Sequence, residues 1–410
     1  MMIEELIREA EQQLMEQFRN IEETEAYWTQ RILAAYRQYE ISYRHFSGTT
    51  GYGNGDIGRE ALENVFADVF GTETAIVRPS IASGTAALAM AVFGLSKPGE
   101  TIVSATGRPY DTMEEVLGIT QEHITGSLHE YGVGYRQVDL SEDGHIDLNA
   151  VDASIDENVH LVIAQRSRGY SWRSSIMPEE FGPLAEMIHA KHPGVVLMVD
   201  NCYGEFVTDT EPSMHGADVC VGSLIKNPGG GLAPTGGYMV GTREAIERIA
   251  ARVTAPGIGL EVGSYVPGYQ SFFQGLFMAP HTVAQALKTA CLASRIFTSL
   301  GFATSPAPEE NRSDIIQAIR LETPEQLIRF CQGIQMASPI DSMAMPEPWD
   351  MPGYTDQVIM AAGTFVAGAS IELSADGPMR PPYIAYLQGS LTYIHGRIAL
   401  QEALKHMQKH

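Results

Sequence analysis

The sequence predicts an α/β architecture: a large domain on a mostly parallel sheet, followed by a smaller C-terminal α+β domain. Two observations carry this. Short apolar runs alternate with helical patterns between residues 59 and 280, as expected for strands joined by crossover helices. After Pro280 the alternation gives way to one long helical stretch and scattered strands. The expected divisions are an N-terminal helical arm and hinge at 1–58, the large domain at 59–280 and the small domain at 281–410. A chain of 410 residues has room for two or three domains of about 100–200 residues each.

Taken in order, residues 1–46 read as helix, with Ile3, Leu6, Ile7, Leu14 and Phe18 near a 3.6-residue period. A glycine-rich hinge, "SGTTGYGNGDIGRE", follows. The strand "TAIVRP" leads into the helix "SGTAALAMAVFGL", and "TIVSAT" into "DTMEEVLGI". "GYRQVDL" reads as a further strand, and "VHLVIAQR" precedes the helix "EEFGPLAEMIHAKH". The runs "GVVLMVDN", "ADVCVGS" and "GGYMVG" are strands, the last leading into "TREAIERIAARV". In the small domain "HTVAQALKTACLASRIFTSLGF" is one long helix and "TPEQLIRFCQGI" a capped one. The apolar stretch "DIIQAIRL" lies between these two helices, and strands are expected around "TFVAGASIEL". The Pro- and Met-rich "SPIDSMAMPEPWDMPGY" reads as a loop, or as a lid if a site lies beside it.

Composition narrows the functions. There are 50 acidic and 27 basic side chains, a formal net charge of −23. Such a surface repels phosphate backbones and anionic lipids, so neither nucleic acid nor membrane is an expected partner. The four cysteines, Cys202, Cys220, Cys291 and Cys331, are far apart and form no CxxC, which fits free thiols in a reducing compartment. "MMIEELIREAEQQL" is an acidic amphipathic helix without the basic and apolar regions of a signal peptide. A cytoplasmic location is expected. No His/Cys cluster with metal-ligand spacing is present, and no metal site is expected.

Three positions carry chemistry. "SGTAAL", Ser83 to Leu88, is a small-residue turn opening a helix, whose free backbone N–H groups suit a phosphate. The plain alternative is a serine cap on a core helix. Asp200 ends the apolar run "VVLMVD"; a buried carboxylate there needs a cationic or hydrogen-bonding partner. Lys226 follows the next apolar run, so both groups project from the same end of the sheet. Beside a cationic ring, a lysine has a depressed pKa and forms Schiff bases. Alone, it reads as a snorkelling surface residue. The glycines after it, "GGG", are read as room for a ring.

Together these are the arrangement of pyridoxal-phosphate enzymes of fold type I. "VDNCYGEF" and "GSLIK" resemble the Cys/Met-metabolism family, relatives of cystathionine and methionine γ-lyases, where Val-Asp-Asn-Thr precedes Ser-x-Thr-Lys. "GTTGYG", "DIGR", "QRSRGYSWR" and "GASIELSADGP" are similar to blocks of the methionine γ-lyase-like group called aluminium resistance proteins. The resemblance implies pyridoxal 5'-phosphate attached at Lys226, with Asp200 facing its ring nitrogen. Ser83, Gly84, Thr85 and Ser223 would hold the phosphate, with one contact fewer because Ile225 stands where the family has threonine. Cys202 would pack under the ring. Tyr110 would stack on the ring and serve as an acid towards the leaving group. Tyr52 would reach the phosphate of a neighbouring subunit, implying a homodimer with shared active sites and, from two dimers, a homotetramer. Asn54 replaces a family arginine; Arg59 either substitutes for it or is a solvated first-turn residue.

The substrate's carboxylate calls for an arginine clamp. Glu372 stands where the family carries that arginine, so Arg380 is the first candidate, followed by the cluster Arg166, Arg168 and Arg173. That cluster reads equally as a structural ion-pair network. The activity implied is a carbon–sulfur lyase performing β- or γ-elimination on a sulfur-containing amino acid, with Lys226, Tyr110 and Asp200 catalytic. Two alternatives stay open: an aminotransferase or other pyridoxal-phosphate enzyme, and a non-catalytic metal-resistance protein on the same fold.

Overall fold

The computed structural model describes residues 3–120, 124–351, 354 and 356–408. The N-terminal arm is two helices rather than one, α1 (Ile3–Gln13) and α2 (Met15–Gln38), which meet at the buried Leu14. The break has a packing cause. Leu6, Ile7 and Ala10 of α1 belong to the core of the small domain, whereas Trp28, Ile32 and Ala35 of α2 belong to a core of the large one. After a 3₁₀ turn at Tyr43–Phe46 and the glycine hinge, α3 (Ile57–Val69) starts at Asp56, whose carboxylate accepts from the Arg59 amide at 3.0 Å.

The large sheet has seven strands: β1 (Thr74–Arg78), β2 (Thr101–Ser104), β3 (Gly134–Gln137), β4 (Val159–Gln165), β5 (Val196–Asp200), β6 (Val219–Ser223) and β7 (Gly237–Gly241). Their order is β1-β7-β6-β5-β4-β2-β3. All neighbours from β6 to β3 pair in parallel, and β7 runs antiparallel to both β6 and β1. The central strands read as continuous apolar runs because helices cover both faces. Helices α4 (Gly84–Leu95) and α5 (Asp111–Leu117) and strand residues Ile102, Leu161 and Met198 share one core. Val103, Val162, Leu197 and Cys220 face the other, with α6 (Leu148–Ser154) and α7 (Phe181–Lys191). The helix α8 (Arg243–Val253) returns to the first face.

The expected boundary at 280 falls inside a helix. α9 (Gln270–Ser299) begins earlier than Pro280 and runs through it. An internal proline costs a helix about 3 kcal/mol, yet α9 has packing on both sides of it. Phe272, Phe273 and Leu276 lie in the large-domain core, and Leu292, Ile296 and Phe297 lie in the small-domain core. The small sheet follows, in the order β10-β11-β12-β9-β8 and antiparallel throughout. Its strands are β8 (Thr304–Ser305), β9 (Gln317–Arg320), β10 (Val358–Ala361), β11 (Ser374–Pro378) and β12 (Ile384–Gln388). α10 (Pro324–Met336) and α11 (Tyr393–Gln408) cover one face. The strand expected around "TFVAGASIEL" is a loop. The Glu372 carboxylate accepts from the amides of Phe365 and Val366 at 2.8 and 2.9 Å, and Gly368 turns the chain at φ +80°.

Strand alternation decides what the small sheet shows the large domain. Ala375, Leu387 and Ile319 point into the helix-covered core. Asp376, Tyr386 and Ala318 are cross-strand neighbours on the other face, where Tyr170 and Tyr203 of the large domain pack against it.

Candidate active site

β5 and β6 are parallel neighbours with Asp200 opposite Val221, so Asp200 and the turn after β6 stand at one end of the sheet. Lys226 is half-buried in that turn, its Nζ 3.9 Å from the centroid of the Tyr203 ring. Tyr203 holds a left-handed backbone, φ +72°, uncommon for a tyrosine. The next residue after the lysine explains how it is kept. Asn227, fully buried, donates from Nδ2 to the carbonyls of Tyr203 (3.0 Å) and Glu205 (2.9 Å).

The electrostatics of this cluster run against one expectation. Burial disfavours the Lys226 ammonium, but Cys202, Tyr203, Asp200 and Glu205 together hold its pKa above the ordinary lysine range. A depressed lysine pKa is therefore not produced by the protein's own groups. Burial pushes the Asp200 carboxyl upward, while Lys226 and the Cys202 amide, which donates at 3.1 Å, pull it back. Burial also pushes the Cys202 thiol well up, leaving it a neutral packing group.

The turn "SGTAAL" forms the start of α4. Ser83 is its cap, Oγ accepting from the Ala86 amide at 3.0 Å, and Thr85 Oγ1 lies 3.0 Å from Thr112 Oγ1. Ser223, at the end of β6, faces this helix start: a Cβ on Gly84 would stand 3.1 Å from Ser223 Cβ. Glycine at 84 thus lets the two segments approach. The Ser223 hydroxyl is buried and has no hydrogen-bond partner among the described residues. The glycines after Lys226 are not room for a ring. Gly230 and Gly231 take φ +54° and +77°, and a Cβ on Gly230 would sit 2.4 Å from the Gly275 carbonyl oxygen. They let the lysine turn lie directly on α9.

Across from this helix start, Tyr110 caps α5, its amide donating to Gln165 Oε1 at 2.8 Å. Its hydroxyl bonds that of Tyr354, which comes from the Pro/Met-rich segment. Tyr170 lies between them, its ring centroid 6.1 Å from Tyr110, 5.8 Å from Tyr354 and 5.1 Å from Tyr386. Burial raises the Tyr110 and Tyr170 phenols above their ordinary range, and neighbouring acidic groups add to it. Sequence reasoning singled out Tyr110 and missed Tyr170, Tyr203, Tyr354 and Asp376. Three of these lie within the very blocks "QRSRGYSWR", "VDNCYGEF" and "GASIELSADGP".

The remaining candidates separate by what they touch. Tyr52 is 80% exposed at the hinge. Arg59 is neither a solvated residue nor a free cation: it is buried and donates to the carbonyls of Gly53, Gly263 and Glu261 at 2.8–2.9 Å. Arg166 fits the ion-pair alternative. It is fully buried and donates to Glu211 (2.8 Å), Asn201 (2.9 Å), Ser313 (2.9 Å) and Thr208 (3.0 Å). Arg173 bonds the carbonyls of Ser174, Gln165 and Ser167, and burial lowers its pKa to about 10. Arg168 is different. Its Nη1 binds Ser305 and its Nε lies 4.0 Å from the equally buried Asp314 carboxylate, while Nη2 is buried without a hydrogen-bond partner among the described residues. Arg380 is half-exposed and pairs with Asp356 at 2.9 Å, two residues beyond Tyr354. Glu372 is tied to backbone amides and offers no anion site.

Comparison with known proteins bears on this geometry. A family described as methionine gamma-lyase matches residues 3–408. An uncharacterised protein of Bacillus subtilis, YnbB, is 49% identical over 374 residues, 91% of this chain and 89% of that protein. The crystal structure of a carbon–sulfur lyase involved in aluminium resistance from Clostridium novyi is 47% identical, with a TM-score of 0.94 covering 98% of this chain and 94% of that one. The fold is shared more distantly with the pyridoxal-5'-phosphate-dependent protein YhfS of Escherichia coli, at 17% identity and TM-score 0.60, covering 95% and 97%. Pyridoxal phosphate fits the residues in place. The free Ser223 hydroxyl, the helix start and Gly84 suit its phosphate, Asp200 suits a protonated ring nitrogen, and Lys226 is an amine at the same strand ends.

Proposed function

The chain belongs to the methionine gamma-lyase family, and from that premise we propose that it is a pyridoxal-phosphate-dependent carbon–sulfur lyase that eliminates a thiol from a sulfur-containing amino acid. The observation that carries the reading is the lysine–carboxylate pair at adjacent strand ends, facing a helix start with an unpartnered serine hydroxyl. When bound, the cofactor supplies an electron sink for the pair left at the substrate's Cα.

The chain's own groups divide the remaining work. Ser223 Oγ, Ser83 and the amides opening α4 hold the phosphate, where the helix dipole adds to their pull. Asp200 keeps the ring nitrogen's proton. Lys226 Nζ is the attachment point and, once the substrate amine has taken its place, the base that moves the Cα proton. The Tyr203 ring beneath it fixes where that amine can travel. Arg380, half-exposed against Asp356, is the first cation to receive the substrate's carboxylate, and the unpartnered Nη2 of Arg168, whose guanidinium faces Asp314, is the second; Arg166 and Arg173 are filled by the protein's own groups. The exposed Tyr52 reaches a second subunit, completing its phosphate site in a homodimer, two of which make the tetramer.

Incubating the purified protein with methionine, homocysteine, cysteine and cystathionine tests this. Release of a 2-oxo acid together with a thiol from at least one is expected. Amino transfer to an added keto acid without thiol release would overturn elimination.

A further inference from the structure

One buried acid sits on the face of the small sheet against which Tyr170 and Tyr203 pack, and has no part in the mechanism above. Asp376 is 5% exposed on the face of β11 turned to the large domain, directly across from Tyr386. Its Oδ2 accepts from Gln388 Nε2 at 3.0 Å, and its Oδ1 has no hydrogen-bond partner of ordinary geometry among the described residues. No ion pair among the described residues includes it. The titratable groups around it are the phenols of Tyr110, Tyr170, Tyr203, Tyr354 and Tyr386, with the Cys331 thiol behind the sheet.

We propose that Asp376 is the proton source for the departing sulfur, acting through Tyr170 and the Tyr110–Tyr354 hydroxyl pair, and so a positioning residue specific to leaving groups that need a proton. The proposal rests on the lyase reading. A carboxylate enclosed by phenols with no cation costs several kcal/mol to keep charged, so the acid form persists up to neutral pH. Burial raises its pKa to about 7, against the opposing effects of Tyr170 and Gln388. The phenols, pushed upward, are weaker acids than an ordinary thiol of pKa about 8.5, whereas this carboxyl is stronger.

The step balances within the chain. The C–S bond breaks with its electron pair on sulfur. A proton reaches that sulfur from the phenol pair, Tyr170 restores the pair's proton, and Asp376 restores that of Tyr170. Neutral thiol leaves, and Asp376, left as carboxylate, takes a proton from solvent back along the same phenols. Because the acid form is the active one, elimination of a basic thiol should fall as pH rises through about 7.

The test compares the holoenzyme with Asp376→Asn on two S-substituted cysteines, one releasing an alkyl thiol and one releasing an electron-poor aryl thiol that departs without a proton. The expected result is an alkyl-thiol kcat/KM lowered about 100-fold in the variant and an aryl-thiol value changed less than about threefold, the size of a lost general acid. The falling limb above about pH 7 should be present only for the wild type with the alkyl substrate. Infrared difference spectra give a second readout: a protonated carboxyl band that titrates near pH 7 in the wild type and is missing in the variant. Equal losses on both substrates, or a wild type with no such band, would overturn the proposal. A wild type releasing thiol neither from these substrates nor from methionine, homocysteine, cysteine or cystathionine would instead remove the lyase reading on which it rests.

Discussion

At the scale of single residues, the site is organised by side chains that lack what burial normally demands. Ser223 is the plainest case, a buried hydroxyl without a partner beside a helix start. Ser223→Ala should leave the cofactor-free protein's melting temperature unchanged or slightly higher, since no bond is broken. The same change should weaken cofactor retention about 10-fold or more, as expected for a hydrogen bond to a charged group. Equilibrium dialysis with thermal melts of both forms checks this; equal cofactor affinity would count against Ser223 as a phosphate donor. Lys226 and Asp200 were legible in the sequence because each interrupts or ends an apolar run where a charge is costly. Tyr203, Tyr170 and Asp376 were not, because tyrosines and a strand aspartate carry no such signal until the two domains are brought together. Arg166 shows the converse: its charge stood out, and only the fold reveals Glu211 2.8 Å away.

At the scale of elements, the segment between α10 and β10 carries the sharpest consequence. Tyr354 meets Tyr110 and Asp356 meets Arg380, so one stretch touches both an expected acid and an expected substrate cation. If Arg380 receives the substrate carboxylate, Asp356 competes for it. Asp356→Ala should then lower KM up to about fivefold, the scale of an exposed pair, with little change in stability. Arg380→Ala should raise KM about 10- to 100-fold with a smaller effect on kcat, as loss of a charge-assisted bond predicts. Steady-state kinetics of both variants decides it; unchanged KM in both would move the carboxylate to Arg168. The helices and central strands were readable from period and apolar runs. The loop at 364–371 was not, because its residues favour a strand and only the Glu372 carboxylate, closing onto two amides, dictates otherwise. The start of α9 was misplaced because Pro280 reads as a boundary before the helix, while packing against both domains carries the helix through it.

At the scale of the whole molecule, a polar layer runs beneath the site, and one member sets a pH dependence. Glu205 accepts from the Tyr238 hydroxyl at 2.7 Å, and burial raises its pKa from 4.5 to about 8. Folding therefore favours its protonated form. The stability this gives is whole below about pH 4.5 and is lost as pH rises through about 8. Melting temperature should fall across that interval, and Glu205→Gln should flatten the fall; an unchanged slope would contradict the assignment. The mostly parallel sheet and the small α+β unit followed from the order of the sequence patterns, whereas the packing of Tyr170 and Tyr203 against the small sheet is a product of their docking. The most direct test of the central claim is borohydride reduction of the purified protein followed by peptide mass mapping. The expected result is a pyridoxyl group on Lys226 and none in Lys226→Ala, with loss of visible absorption in that variant. A colourless wild type with no such mass on Lys226, or the group fixed on another lysine, would contradict it.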